Sequence, residues 1–233
     1  MRIFGKGFNF GQDGPGNRLV YHLQGCNMRC PWCSNPEGMS SPGGTERSVD
    51  EIVRECERSR AMFFSGGGVT FTGGEATLWG DELILLLTRL EELGIHTAIE
   101  TNGTSPRLVE IAEHVDYLIM DIKHYDAALH LRYTAVPIEA VRKNYELLCR
   151  AKRQLHIRIP LINGVNSDDP EAFAEYLASY RSDYAVYEIL PYHEYGKDKW
   201  KTEYTVKNGF VSREQVAALE GALKERGLKT ITT

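Results

Sequence analysis

Three cysteines, Cys26, Cys30 and Cys33, stand within the run Gln24-Gly25-Cys26-Asn27-Met28-Arg29-Cys30-Pro31-Trp32-Cys33. Three thiolates this close in sequence can share one metal centre. They cannot complete a tetrahedral zinc site, nor give each iron of a four-iron cluster its own cysteine. One coordination position is left open, and an open position is where a small molecule is bound and activated. Two plainer arrangements use the same residues: a zinc site completed by a distant side chain, and an ordinary electron-transfer cluster. A fourth ligand for either could come from Cys56, Cys149 or one of seven histidines.

Further polar signals follow along the chain. Gly73-Gly74-Glu75 reads as a strand-to-helix turn in which glycines let the backbone approach a ligand and a carboxylate accepts from an ammonium group. Glu100 and Asp121 fall at the ends of two expected strands, where paired carboxylates repel unless a cation or proton lies between them. A simple ion pair of Asp121 with Lys123 satisfies the same residues. Cys56 and Cys149 fall on apolar helical faces, which makes them core thiols.

The elements that must position these groups alternate. Strands are expected at Leu19–Gln24, Val69–Thr72, Thr97–Glu100, Tyr117–Asp121, Leu155–Leu161 and Ala185–Leu190. Helical spacing fills the gaps, with Ser48 and Glu51 forming a capping signal before Val49, Ile52, Val53 and Cys56. Other helices run through Leu83–Leu90, Ser105–Glu113 and Ile138–Leu148, from Ser167 to about Tyr180, and from Ser212 to Leu223. Residues 1–16 are glycine-rich and end in Asp13-Gly14-Pro15-Gly16, which reads as turn chemistry. Alternation of this kind implies an α/β fold of parallel strands with right-handed crossovers, whose functional face lies at the carboxyl ends of the strands. Cys26, Glu75, Glu100, Asp121, Lys123, Arg158 and His193 all fall there. Six strands are too few for a closed eight-stranded barrel, so an open partial barrel is expected, in a single domain spanning residues 1–233.

Composition narrows the class. Hydrophobic residues at 42% and charged residues at 25% are ordinary globular values. No apolar run is long enough to span a bilayer and no signal-peptide pattern stands at the start, so a cytoplasmic protein without a membrane partner is expected. An odd number of cysteines, with three packed together, favours reduced thiols and a metal over a disulfide framework. A net charge of −5 gives no reason to expect nucleic acid.

The C-x3-C-x2-C spacing, with an aromatic residue before its last cysteine, resembles the motif of the radical S-adenosylmethionine (SAM) enzymes. The glycine-glycine-glutamate run agrees with that family in order and distance. The resemblance then narrows to the activating enzymes of glycyl radical enzymes, nearest to the pyruvate formate-lyase activators. It covers Asp13 to Trp200 and rests on Ser65 to Ala76 (SGGGVTFTGGEA), Glu100 to Gly103 (ETNG), Asp121 to Lys123 (DIK), Ile157-Arg158 and Leu190 to Trp200 (LPYHEYGKDKW).

The resemblance implies a partial (β/α)6 TIM-like barrel. It implies a 4Fe-4S cluster on Cys26, Cys30 and Cys33, with SAM on the fourth iron and Trp32, Gly73, Gly74, Glu75, Asp121, Lys123, Arg158 and His193 around it. Glu100, Thr101 and Asp121 match positions that bind a monovalent cation, sodium or potassium. The implied partners are a glycyl radical enzyme, pyruvate formate-lyase or a relative, as substrate, and a flavodoxin or ferredoxin as electron donor, with the activator a monomer in anaerobic metabolism. Many family members insert a ferredoxin-like domain after the first motif. Pro36 to Phe64 here contains only Cys56, so a single cluster is expected.

Ser34 replaces a histidine of the pyruvate formate-lyase activators, Tyr195 a leucine and Glu100 an aspartate, while Asn163-Gly164 falls in a differing loop. These departures leave the SAM chemistry intact and bear on which partner is activated. The alternatives are a small-molecule radical SAM enzyme such as a 7-carboxy-7-deazaguanine synthase, and a non-enzymatic iron-sulfur carrier or zinc-stabilised module.

Overall fold

The computed structural model describes residues 1–40 and 42–232. Its strands are β1 (Arg2–Phe10), β2 (Asn17–Leu23), β3 (Thr45–Glu46), β4 (Gly68–Gly73), β5 (Thr97–Thr101), β6 (Tyr117–Asp121), β7 (Leu155–Leu161), β8 (Ala185–Pro191) and β9 (Thr230–Ile231). They hydrogen-bond in the order β3-β1-β2-β4-β5-β6-β7-β8-β9, an open sheet that does not close into a barrel. The pairs β2–β4, β4–β5, β7–β8 and β8–β9 are parallel, whereas β1 runs antiparallel to both β2 and β3.

The helices are α1 (Val49–Arg58), α2 (Gly80–Glu92), α3 (Leu108–Ala112), α4 (Ala127–Thr134), α5 (Glu139–Arg150), α6 (Pro170–Ala178) and α7 (Arg213–Glu225). Among the described residues no helix is long and apolar enough to cross a membrane.

The six expected strands form, each within two residues of its expected ends. Three strands were not expected. The largest is β1, where Gly5, Lys6 and Gly7 interrupt the apolar alternation; it forms because β2 supplies a partner from Phe10 opposite Asn17 to Ile3 opposite Leu23, with a register shift between Ile3 and Gly5. The unexpected α4 is short and buries only His130 and Thr134. It is fixed by its ends: Asp126 caps the Leu129 amide, and Ala135 turns the chain out at φ 65°.

The chain divides into two compact units, residues 1–27 with 35–119, and residues 28–34 with 120–233. In the first unit, Leu83, Leu86, Leu87 and Leu90 of α2 are fully buried, as are Val69, Phe71 and Ile99 of the sheet. Each such side chain contributes roughly 1.5–3 kcal/mol of burial energy. The reciprocal Ser48–Glu51 capping box starts α1. In the second unit, Ile157, Ile159, Phe173, Leu177, Tyr187 and Leu223 form the core. Ser212 and Gln215 make the matching capping box for α7. The short chain of Met28 to Ser34 belongs to the second unit although sequence neighbours on both sides belong to the first. Cys26 thus falls in the first unit, and Cys30 and Cys33 fall in the second.

Candidate active site

In the first unit the Gly73-Gly74-Glu75 turn lies directly against the start of the cysteine loop. The Gly74 amide donates to the Leu23 carbonyl at 2.8 Å and the Glu75 amide to the Gly25 carbonyl at 2.7 Å. Gly73 sits at φ 114°, and a Cβ on Gly74 would collide with the Gly25 carbonyl. Both positions require glycine, one for its backbone angle and the other for space.

Glu75 follows with its carboxylate buried. Oε1 accepts from the Thr77 amide at 3.1 Å, from the Thr77 hydroxyl and from the Thr101 hydroxyl at 2.7 Å, while Oε2 accepts from the Asn102 amide at 2.6 Å. Burial pushes its pKa above the usual carboxylate range, and the Thr77, Asn102 and Thr101 donors push the other way. Through those donors Glu75 ties its own turn to the chain around Thr101 and Asn102.

Asn102 completes the link. Its side-chain amide donates to Asn27 Oδ1 at 2.9 Å and reaches Cys26 Sγ at 3.9 Å, and Asn27 in turn donates to the Thr104 hydroxyl at 2.8 Å. The Thr101 hydroxyl also accepts from the Gly103 amide at 3.1 Å. Glu100 accepts from the Thr72 hydroxyl at 2.7 Å.

In the second unit the groups are charged. Lys123 donates to Asp121 Oδ2 at 2.8 Å, with the lysine side chain only 12% exposed, so this is no surface ion pair. Burial alone would lower the Lys123 pKa. Asp121 and the Cys30 and Cys33 thiolates outweigh it and hold the ammonium above its ordinary value.

Arg158 is buried, and its Nε donates to Glu188 Oε2 at 3.1 Å; the same oxygen lies 3.0 Å from His156 Nε2. The Arg158 carbonyl accepts from the Ile122 amide at 2.8 Å, which fixes this strand end beside the Asp121–Lys123 turn. His193 stacks on Tyr195 with ring centroids 4.2 Å apart, and partial burial lowers its pKa. Trp32 is buried with its ring 5.9 Å from that of Tyr133.

No disulfide joins any of the five cysteines. Burial pushes the Cys56 thiol up to about 12 and the Cys149 thiol up to about 11, so both stay protonated near neutral pH and are poor metal ligands. Cys30 and Cys33 close a turn, with the Cys33 amide donating to the Cys30 carbonyl at 3.2 Å. Three soft sulfur donors on one short loop fit an iron-sulfur cluster. Among the described residues no group of three or more His, Cys, Asp or Glu side chains stands ready to hold a single metal ion. A four-iron cube, in which each thiolate takes a different iron, needs a wider-set trio than one ion does.

Residues 20–177 match the Radical SAM superfamily. The choline trimethylamine-lyase activating enzyme of Oleidesulfovibrio alaskensis is 29% identical, with 91% of each chain covered. The pyruvate formate-lyase-activating enzyme of Staphylococcus aureus is 36% identical over 82% of this chain and 80% of that one. The chain belongs to the radical SAM glycyl-radical-enzyme activases. A solved domain of the pyruvate-formate lyase-activating enzyme from Bacteroides vulgatus superimposes with a TM-score of 0.60 at 33% identity, covering 71% of this chain and 98% of that chain. The protein is thus an oxidoreductase-type radical SAM activase, and an iron-sulfur cluster and SAM follow from its family.

Sequence reasoning missed Glu188, Asn102 as a tie between loops, and Trp200, whose indole reaches the Cys33 carbonyl. Glu188 carried a legible signal. It is the single charge in the strand Ala185–Pro191, and parallel register places it opposite Arg158, the single arginine of Leu155–Leu161.

Proposed function

We propose that the protein reductively cleaves SAM at a 4Fe-4S cluster on Cys26, Cys30 and Cys33 and removes a hydrogen atom from a glycine α-carbon of a partner glycyl radical enzyme, pyruvate formate-lyase or a relative. The observation that carries this reading is the division of the cysteines. Three lie on one loop, and the other two are core thiols held protonated by burial. That leaves a trio and an open position.

Cys26, Cys30 and Cys33 would hold the cluster, which would supply the one-electron reduction of SAM with a flavodoxin or ferredoxin as electron donor, and the hydrogen of the partner glycine would end in 5′-deoxyadenosine. The remaining work belongs to the chain. Gly73 and Gly74 bring backbone close enough for the methionine part of SAM, and Glu75 fixes that turn. Arg158, oriented by Glu188, offers a guanidinium to the SAM carboxylate. Asp121, Lys123, His193 and Trp32 line the rest of the pocket and keep water away from it. Glu100, Thr101 and Asp121 would be the ligands of a sodium or potassium ion that supports SAM binding. The protein works in the cytoplasm as a monomer and is a single functional domain.

Anaerobic reconstitution tests the cysteine assignment. About four irons per chain are expected, retained in Cys56→Ala and Cys149→Ala, with SAM cleavage abolished by alanine at Cys26, Cys30 or Cys33. Loss of cluster iron from the Cys56 or Cys149 variant would overturn it. The 7-carboxy-7-deazaguanine synthase and electron-carrier readings are separated by whether a partner glycine becomes a radical.

A further inference from the structure

The stretch after β8 returns to the cysteine loop and grips it at three points. The Trp200 indole Nε1 donates to the Cys33 carbonyl at 3.2 Å. The Lys199 ammonium donates to the Ser34 carbonyl at 3.0 Å. Gly196 lies flat against the same peptide: a Cβ built there would come within 2.5 Å of Ser34 Cα and 2.7 Å of the Cys33 carbonyl oxygen. Its φ of −94° suits any residue, so space rather than backbone angle demands glycine.

These contacts join residues more than 160 positions apart, as separations of 167 and 165 show. The gripping segment is itself braced. A short 3-10 turn covers Lys197–Lys199. Trp200 packs edge-on against Tyr204 at 5.8 Å, and the Tyr204 hydroxyl shares a 2.7 Å hydrogen bond with Tyr192.

We propose that Gly196, Lys199 and Trp200 form a clamp that positions the third cysteine, with the Trp200 N–H as its main positioning contact. The proposal rests on the reading of Cys33 as a cluster ligand. Cys33 is the last cysteine of the trio, and the chain beyond it leaves for the other unit at Asn35. The tether at its carbonyl acts together with the turn in which the Cys33 amide donates to the Cys30 carbonyl.

An indole N–H on the Cys33 carbonyl fixes the peptide and places a positive dipole beside the ligand, as outer hydrogen bonds do at metal sites generally. The ammonium on Ser34 adds charge of the same sign, though its exposed position leaves it screened by salt.

The test uses full-length protein in two forms. In the metal-free form, Trp200→Phe keeps the ring on Tyr204 and deletes only the donor. Amide hydrogen exchange in residues 30–34 should quicken about fivefold, the equivalent of one net hydrogen bond. In the reconstituted form, iron release to a chelator should quicken by a similar factor, and the electron paramagnetic resonance spectrum of the reduced cluster should shift. Gly196→Ala should do at least as much, and Lys199→Met less.

Tyr204→Phe, which loosens the bracing without touching the cysteine loop, should leave all three readouts near wild type. An equal effect from Tyr204→Phe would show general loosening and overturn the clamp, as would unchanged exchange and iron release in Trp200→Phe. A wild type that binds no cluster while its exchange still responds to Trp200→Phe would refute the functional reading and leave the tether on Cys33 standing.

Discussion

Two buried carboxylates organise the two units, and they are held in opposite ways. Glu75 is surrounded by neutral donors, the amides and hydroxyls of Thr77, Thr101 and Asn102. Glu188 faces charge or potential charge, Arg158 and His156. Neutral donors fix geometry at little electrostatic risk, so Glu75 serves as the knot that sets the Gly73-Gly74 turn against the cysteine loop. A carboxylate opposed by an arginine instead holds a cation in the protein interior, where it can meet an anionic ligand with little competition from water.

The largest expected effect comes from breaking the charged side. Arg158→Ala strands the Glu188 carboxylate in the core, which should cost about 3–5 kcal/mol in urea unfolding. Replacing both, as Arg158→Met with Glu188→Leu, should recover most of that stability while leaving SAM binding lost. A single variant as stable as wild type would mean the pair is not desolvated in solution, and the contrast with Glu75 would fall.

The neutral side should respond more mildly. Glu75→Gln keeps one acceptor oxygen but turns an NH2 toward existing donors, at a cost of about 1–3 kcal/mol near pH 5. The sign of its pH dependence follows from a folded pKa raised above the ordinary 4.5. Folding favours the protonated acid, so this stability contribution is full below pH 4.5 and is lost as pH rises through the folded value. The gap between wild type and Glu75→Gln should therefore narrow on going from pH 5 to pH 8. A gap that widens would show that the donors, not burial, dominate.

Asp121→Asn should have the smallest effect on stability, about 1 kcal/mol, because the amide oxygen still accepts from the buried Lys123 ammonium. Its consequence should appear in ligand binding, with SAM affinity falling about tenfold and the dependence on potassium or sodium weakened. Undiminished cation dependence in this variant would remove Asp121 from the cation site.

Much of this was legible in the sequence because it is local. The cysteine spacing, the glycine turn and the helical placement of Cys56 and Cys149 each lie within one element, and the structure buries both of those cysteines in the core. What was hidden depends on partners far away in the chain. β1 has weak strand character of its own and forms on the edge that β2 offers. The grip of Trp200 on Cys33 crosses 167 residues. Arg158 was singled out from the sequence and Glu188 was not, because their pairing needs the β7–β8 register. The donors to Glu75 were hidden for the same reason, because Thr101 and Asn102 lie 26 and 27 residues further along the chain.

The most direct measurement follows one hydrogen atom. The reduced protein, SAM and a partner enzyme carrying glycine deuterated at its α-carbon should give a glycine-centred electron paramagnetic resonance signal and 5′-deoxyadenosine containing deuterium. Glycyl radical formation with SAM turnover but no deuterium in that product would contradict direct hydrogen abstraction from the partner glycine.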